Sequence, residues 1–102
     1  MNRKIISYLG FAKKSGNLLA GVNTCTYAMA KGKVKLMILA SDLSENTLDK
    51  FRRLCEREKI EYRVCLDAET LSLYAGEEGK GIFGITDQGF ADVIRKEIDL
   101  MK

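Results

Sequence analysis

The segment Val34–Ala40 (Val-Lys-Leu-Met-Ile-Leu-Ala) constrains the fold of this chain more than any other stretch. It is strand-length, and apart from Lys35 it is apolar on both alternations, so neither face can be left to water. A strand of that kind belongs at the centre of a sheet with helices packed above and below it.

The flanking segments supply those layers. Asn2 can cap a first helix running to about Lys14, with Ile5, Ile6, Leu9 and Ala12 as its apolar stripe. Ser15-Gly16-Asn17 breaks it, and Leu18-Leu19-Ala20 reads as a short strand. Gly21 opens a second helix that ends near Gly32, with Val22, Cys25, Met29 and Ala30 expected inward. Ser44 caps a long third helix to about Lys59, which turns Leu48, Phe51 and Cys55 in and Lys50, Arg53 and Arg57 out. Tyr62–Cys65 is a strand, and Asp67 caps a fourth helix to about Tyr74. Gly76-Glu77-Glu78-Gly79-Lys80-Gly81 reads as a mobile loop. Ile82–Ile85 is the last strand. Asp87 caps a final helix with Phe90, Ile94 and Ile98 inside. The order α-β-α-β-α-β-α-β-α predicts an α/β fold, a three-layer α-β-α sandwich around a central four-stranded mixed sheet. Nothing in the 102 residues resembles a linker, so residues 1–102 are expected to form a single domain.

Several function classes lose support at once. Histidine is absent, which removes the commonest acid–base group and metal ligand. Cys25, Cys55 and Cys65 lack metal-ligand spacing and read as buried small hydrophobes. No nucleophile–base pair stands out, and the phosphate-loop pattern GxxxxGK[ST] is missing. The expectation is a chain that is not an enzyme, with no cofactor, no metal and no catalytic residue. No apolar run approaches the roughly 20 residues of a membrane span, and the amino terminus is too interrupted for a signal peptide, so the expected location is cytoplasmic.

Charge carries the positive information. Residues 1–40 hold Arg3, Lys4, Lys13, Lys14, Lys31, Lys33 and Lys35 and no acid, whereas residues 41–102 carry a net charge of −4. Such asymmetry suggests a polyanion-binding face built by the first part of the chain. The second helix supplies its chemistry. Gly21 lets a ligand backbone come close to a helix start whose amides and dipole favour a phosphate. Asn23, Thr24, Tyr27 and Lys31 share one edge of the helix. Asn23 can read a base edge, Tyr27 can stack on a base or ribose, and Lys31, Lys33 and Lys35 continue the positive track. The plainer alternative has Asn23 capping the helix and Tyr27 packing on a neighbour. In the Gly76–Gly81 loop, Lys80 could reach a phosphate, or the loop could be a turn and nothing more. Asp42, just past the central strand, reads as a cap rather than a catalytic acid. The outer face of the third helix mixes Lys50, Arg53 and Arg57 with Asp49, Glu56 and Glu58 and reads as a solvated surface.

In order and spacing, these residues resemble a known family. Ala12–Gly21 (Ala-Lys-Lys-Ser-Gly-Asn-Leu-Leu-Ala-Gly), Gly21-x-Asn23, Lys31-Gly32-Lys33-Val34-Lys35-Leu36, Ile38–Asp42 and Ile85–Phe90 together resemble the kink-turn RNA-binding ribosomal protein superfamily. Within it they are most similar to the small bacterial ribosomal-protein-like (YlxQ-like) branch. The resemblance covers nearly the whole chain and implies an α-β-α sandwich. It also implies non-catalytic binding of structured RNA, a sharply bent duplex with sheared G·A pairs, rather than DNA or membrane. Ribosomal RNA, other kink-turn RNA and association with the ribosome are the partners it suggests. The family signature Gly-x-Asn-Glu-x-x-Lys maps onto Gly21 and Asn23, with Thr24 in place of the Glu and Tyr27 in place of the Lys. A second family contact, the loop before the last strand, falls at Gly76–Lys80, where Glu77 and Glu78 replace the usual apolar tip. The expected RNA-binding residues are thus Lys13, Lys14, Gly21, Asn23, Thr24, Tyr27, Lys31, Lys33, Lys35 and Lys80. Those departures leave an alternative: a protein–protein interaction module, pairing with itself or with a translation factor, that kept the fold and lost kink-turn binding.

Overall fold

A computed structural model describes residues 3–101. It contains α1 (Arg3–Lys14), β1 (Leu18–Ala20), α2 (Val22–Ala30), β2 (Leu36–Leu39), α3 (Glu45–Glu58), β3 (Glu61–Val64), α4 (Ala68–Ala75), β4 (Ile82–Ile85) and α5 (Gln88–Leu100). The expected Asn2 cap lies outside the described residues. The four strands form one mixed sheet in the order β1-β4-β2-β3. β2 and β3 are parallel, while β4 is antiparallel to both β1 and β2.

β2 is central and buried along its whole length, as its apolar sequence requires. Its ladder extends beyond the regular strand: the Lys35 amide donates to the Ile85 carbonyl (2.7 Å) and the Ala40 amide to the Gly81 carbonyl (2.9 Å). Alternation then divides the core. Leu36, Ile38, Ala40, Phe83 and Ile85 pack against α1, α4 and α5 through Ile5, Leu9, Leu71, Ala91, Ile94 and Ile98. Met37, Leu39 and Ile82 pack on the other side against Cys25, Ala28 and Met29 of α2 and Phe51 and Cys55 of α3. The result is a three-layer α-β-α sandwich with three helices on one face and two on the other.

α2 is seated differently from its expected inner stripe. Val22 and Ala30 are exposed, and Ala28 is buried beside Cys25 and Met29. Cys25 faces the sheet at Gly84, where a Cβ would lie 3.4 Å from the Met37 sulfur and 3.5 Å from the Cys25 sulfur. The half-buried edge strand β3 is tied to α5 by charge. Arg63 donates to both carboxylate oxygens of Asp99 (2.8 and 3.2 Å), and Arg95 donates to Glu61 (3.0 Å).

Topology gathers helix starts at one end of the sheet. β1, β2 and β3 all finish where β4 begins, so α2, α3 and α4 all start there. The carboxyl ends of strands are where open α/β sheets usually place ligands.

Candidate nucleic-acid interface

Three helix amino termini at one end of a sheet concentrate unpaired amides and positive dipole. Two of them are satisfied from within. Ser44 accepts from the Thr47 amide at the start of α3 (3.2 Å). Asp67 accepts from the Thr70 amide and hydroxyl at the start of α4. Those two bonds from Thr70 hold the Asp67 carboxyl below the usual carboxylate range. Asp42 accepts from the Ala68 amide (2.9 Å), so it is a cap as expected, although it serves α4 rather than the adjacent α3.

The third start is open. The N-cap of α2 is Gly21, with φ 96° and ψ 158° and no side-chain cap. This is backbone that glycine alone adopts cheaply. Its own amide is fixed by the Ile82 carbonyl (2.9 Å), which ties the helix start to β4. Asn23 is therefore not the cap, and it stands exposed in the first turn beside Thr24. Among the described residues neither side chain is engaged in an intramolecular hydrogen bond. Tyr27, one turn further on, is 66% exposed and does not pack into the core. The Lys31 ammonium lies 5.4 Å from its ring centroid.

Lys80 comes to the same place from the far end of the sequence. A methyl group on Gly21 would lie 3.6 Å from the Lys80 ammonium. The loop that delivers it is held at both ends, unlike the mobile segment its glycines suggest. At one end Ser72 and Lys80 are joined reciprocally: the Lys80 amide donates to the Ser72 hydroxyl (3.0 Å), and that hydroxyl donates to the Lys80 carbonyl. At the other end the Lys13 ammonium donates to the Gly76 carbonyl and pairs with Glu77 (3.5 Å). Ser72 escaped the sequence reading because a serine in a short apolar helix carries no signal of its partner. Among the described residues Ser72 is the buried polar side chain of the core.

The structure thus brings together Gly21, Asn23, Thr24 and Lys80, with Tyr27 and Lys31 further along the same helix. It places Lys33 and Lys35 beyond the opposite end of α2, about 14 Å away by helix rise. Lys13 is engaged with the 76–81 loop, and Lys14 is exposed at the end of α1. Among the described residues no acid lies within 4.0 Å of Lys14, Lys31, Lys33, Lys35 or Lys80, and no cluster of His, Cys, Asp or Glu could hold a metal. Two of the thiols are poor nucleophiles: burial pushes Cys25 up to about 12, and burial together with Glu56 pushes Cys55 to about 11. No described helix is long and apolar enough to cross a membrane.

Comparison with known proteins gives a consistent picture. An RNA-binding protein YlxQ from Bacillus subtilis (strain 168) is 28% identical over 91 residues, covering 89% of this chain and 91% of that protein. The RNA-binding protein YlxQ of Enterococcus faecium is 26% identical over 97 residues, covering 95% and 93%. A solved structure, a protein with unknown function from Bacillus halodurans C, superposes with a TM-score of 0.90 at 30% identity, covering 96% of this chain and 99% of that one. The profile of the ribosomal protein L7Ae/L30e/S12e/Gadd45 family matches residues 3–95, and the chain belongs to that family.

Proposed function

We propose that this chain is a non-catalytic, cytoplasmic RNA-binding protein, one domain over residues 1–102, that docks a kink-turn or similarly bent RNA at the start of α2. The observation that carries this is the open amino terminus of α2, flanked by unengaged Asn23 and Thr24 and faced by Lys80. The family and the YlxQ relatives support RNA as the ligand.

Each residue then has a role. The bare Gly21 backbone admits a bent phosphodiester strand, and the free amides behind it bind a phosphate. The Asn23 amide has donors and an acceptor for an exposed base edge, and the Thr24 hydroxyl can do either. Tyr27 stacks on an unpaired base or ribose. Lys80 clamps from the loop, with Ser72 and Lys13 positioning that loop. Lys31 extends the track along α2, and Lys14, Lys33 and Lys35 contribute longer-range attraction. Shape rather than sequence is what such a surface selects, and structured elements of ribosomal RNA fit it.

Asn23→Ala should weaken binding to a kink-turn RNA by about 1–3 kcal/mol, the range for one good base contact. Calorimetric titration checks this, and unchanged affinity would sink the assignment.

One observation favours a second reading, a protein-interaction module. Leu73 is 78% exposed, and with Ala68, Glu69, Ser72, Gly76, Glu78 and Gly79 it lines a groove of about 620 Å³ whose carboxylates repel phosphate. Light scattering and an RNA pull-down separate the two: a tight dimer that carries no RNA favours this reading.

A further inference from the structure

We infer that the outer stripe of α3, Asn46, Lys50, Arg53 and Arg57, is a second RNA contact that holds the phosphates of a stem leaving the kink. This rests on the proposed RNA reading of the α2 start.

The charges of α3 are sorted, not mixed. Residues 46, 50, 53 and 57 recur at helical spacing and share one face, opposite the buried Phe51 and Cys55. With Leu54 they line a groove of about 460 Å³. Glu45, Asp49, Arg52 and Glu56 form their own stripe on the neighbouring flank, where Arg52 neutralises Asp49 (3.7 Å). Among the described residues no acid lies within 4.0 Å of Lys50 or Arg53; the Lys50 ammonium instead lies 5.9 Å from the Phe51 ring centroid. Arg57, exposed at the end of the stripe, pairs with Glu58 through Nε (3.0 Å).

Position and chemistry point to the same ligand. α2 and α3 lie on one face of the sheet, share one core cluster, and start at the same end. An RNA docked at Gly21 whose stem runs over this layer passes along α3. Lys50 to Arg57 spans about 10 Å of helix, enough to follow successive phosphates of one strand. Guanidinium forks suit phosphate oxygens, and the only apolar member of the groove, Leu54, is half-buried against the core.

The test uses the full chain and two kink-turn RNAs, one with stems just long enough to close the kink and one with a stem lengthened by a helical turn. For the triple variant Lys50→Gln, Arg53→Gln, Arg57→Gln, affinity for the short RNA should be unchanged. Affinity for the long RNA should fall by about tenfold or more at low salt, and its salt slope should drop by about 2 to 3. A charge-keeping variant, Arg53→Lys with Arg57→Lys, should retain most of the slope, which separates charge loss from misfolding. If the triple variant binds the long RNA as the parent does, the inference falls and the α2 site stands. If the parent binds neither RNA, the α2 reading falls and takes the inference with it.

Discussion

Gly21 shows how much of the site is a backbone matter. Its φ of 96° and ψ of 158° lie where any Cβ is strained, while a methyl there would meet Lys80 only at ordinary contact distance. Gly21→Ala should therefore act through the backbone and destabilise the fold by about 1–3 kcal/mol in a urea titration. Unchanged stability would show that the residue does not hold this conformation. Gly21 and Asn23 were legible in the sequence because a glycine before a helix and an exposed amide in its first turn are local signals. Ser72 and the tie between Lys13 and Gly76 were not, because both join residues whose proximity only the tertiary fold creates.

At the scale of the element, α2 has two ends with different surroundings. The amino-terminal end meets Lys80, and the carboxyl-terminal end leads to Lys33 and Lys35, so a continuous basic stretch in sequence becomes two separated regions in space. A compact kink-turn RNA docked at Gly21 should lose more affinity from Lys80→Gln than from Lys33→Gln with Lys35→Gln, and Lys80→Gln should lower the salt slope by about 1. Gel shifts at several salt concentrations measure this, and the reverse order would place the RNA at the other end of the helix. Helix ends were the most readable part of the fold: Ser44, Asp67 and Asp87 all cap where their local pattern indicates. The phase of α2 was not readable. Its small, weakly polar residues offer several apolar stripes, and the observed one has Ala28 inside with Val22 and Ala30 outside. The Asp42 cap was readable as a cap but not in its partner, since Ala68 is reached across the top of the sheet.

Across the whole molecule, the sequence contained the layers but not the strand order. Alternating elements and an apolar β2 imply a covered sheet; nothing local says that β4 inserts between β1 and β2. The same closed core sets a response to alkali. The folded state keeps the Cys25 and Cys55 thiols protonated to about 12 and about 11, whereas an unfolded chain releases those protons near the ordinary value of 9.0. The native state then holds more protons above that value, so the thiol contribution to stability is complete below about pH 9 and declines as pH rises toward the folded values. Urea midpoints at about pH 8 and about pH 10 should differ more in the parent than in a Cys25→Ala, Cys55→Ala variant; equal differences would show that the thiols are not the cause. The insertion of β4 has one more consequence, for synthesis. Gly21 lies in the first quarter of the chain and Lys80 in the last, and they meet only when the final strand takes its place between two strands already made. A nascent chain that has already released α2 still lacks Lys80 beside Gly21, and non-local closure of this kind comes late in folding. A surface that needs both Gly21 and Lys80 is therefore complete only after β4 has been made and has inserted between β1 and β2.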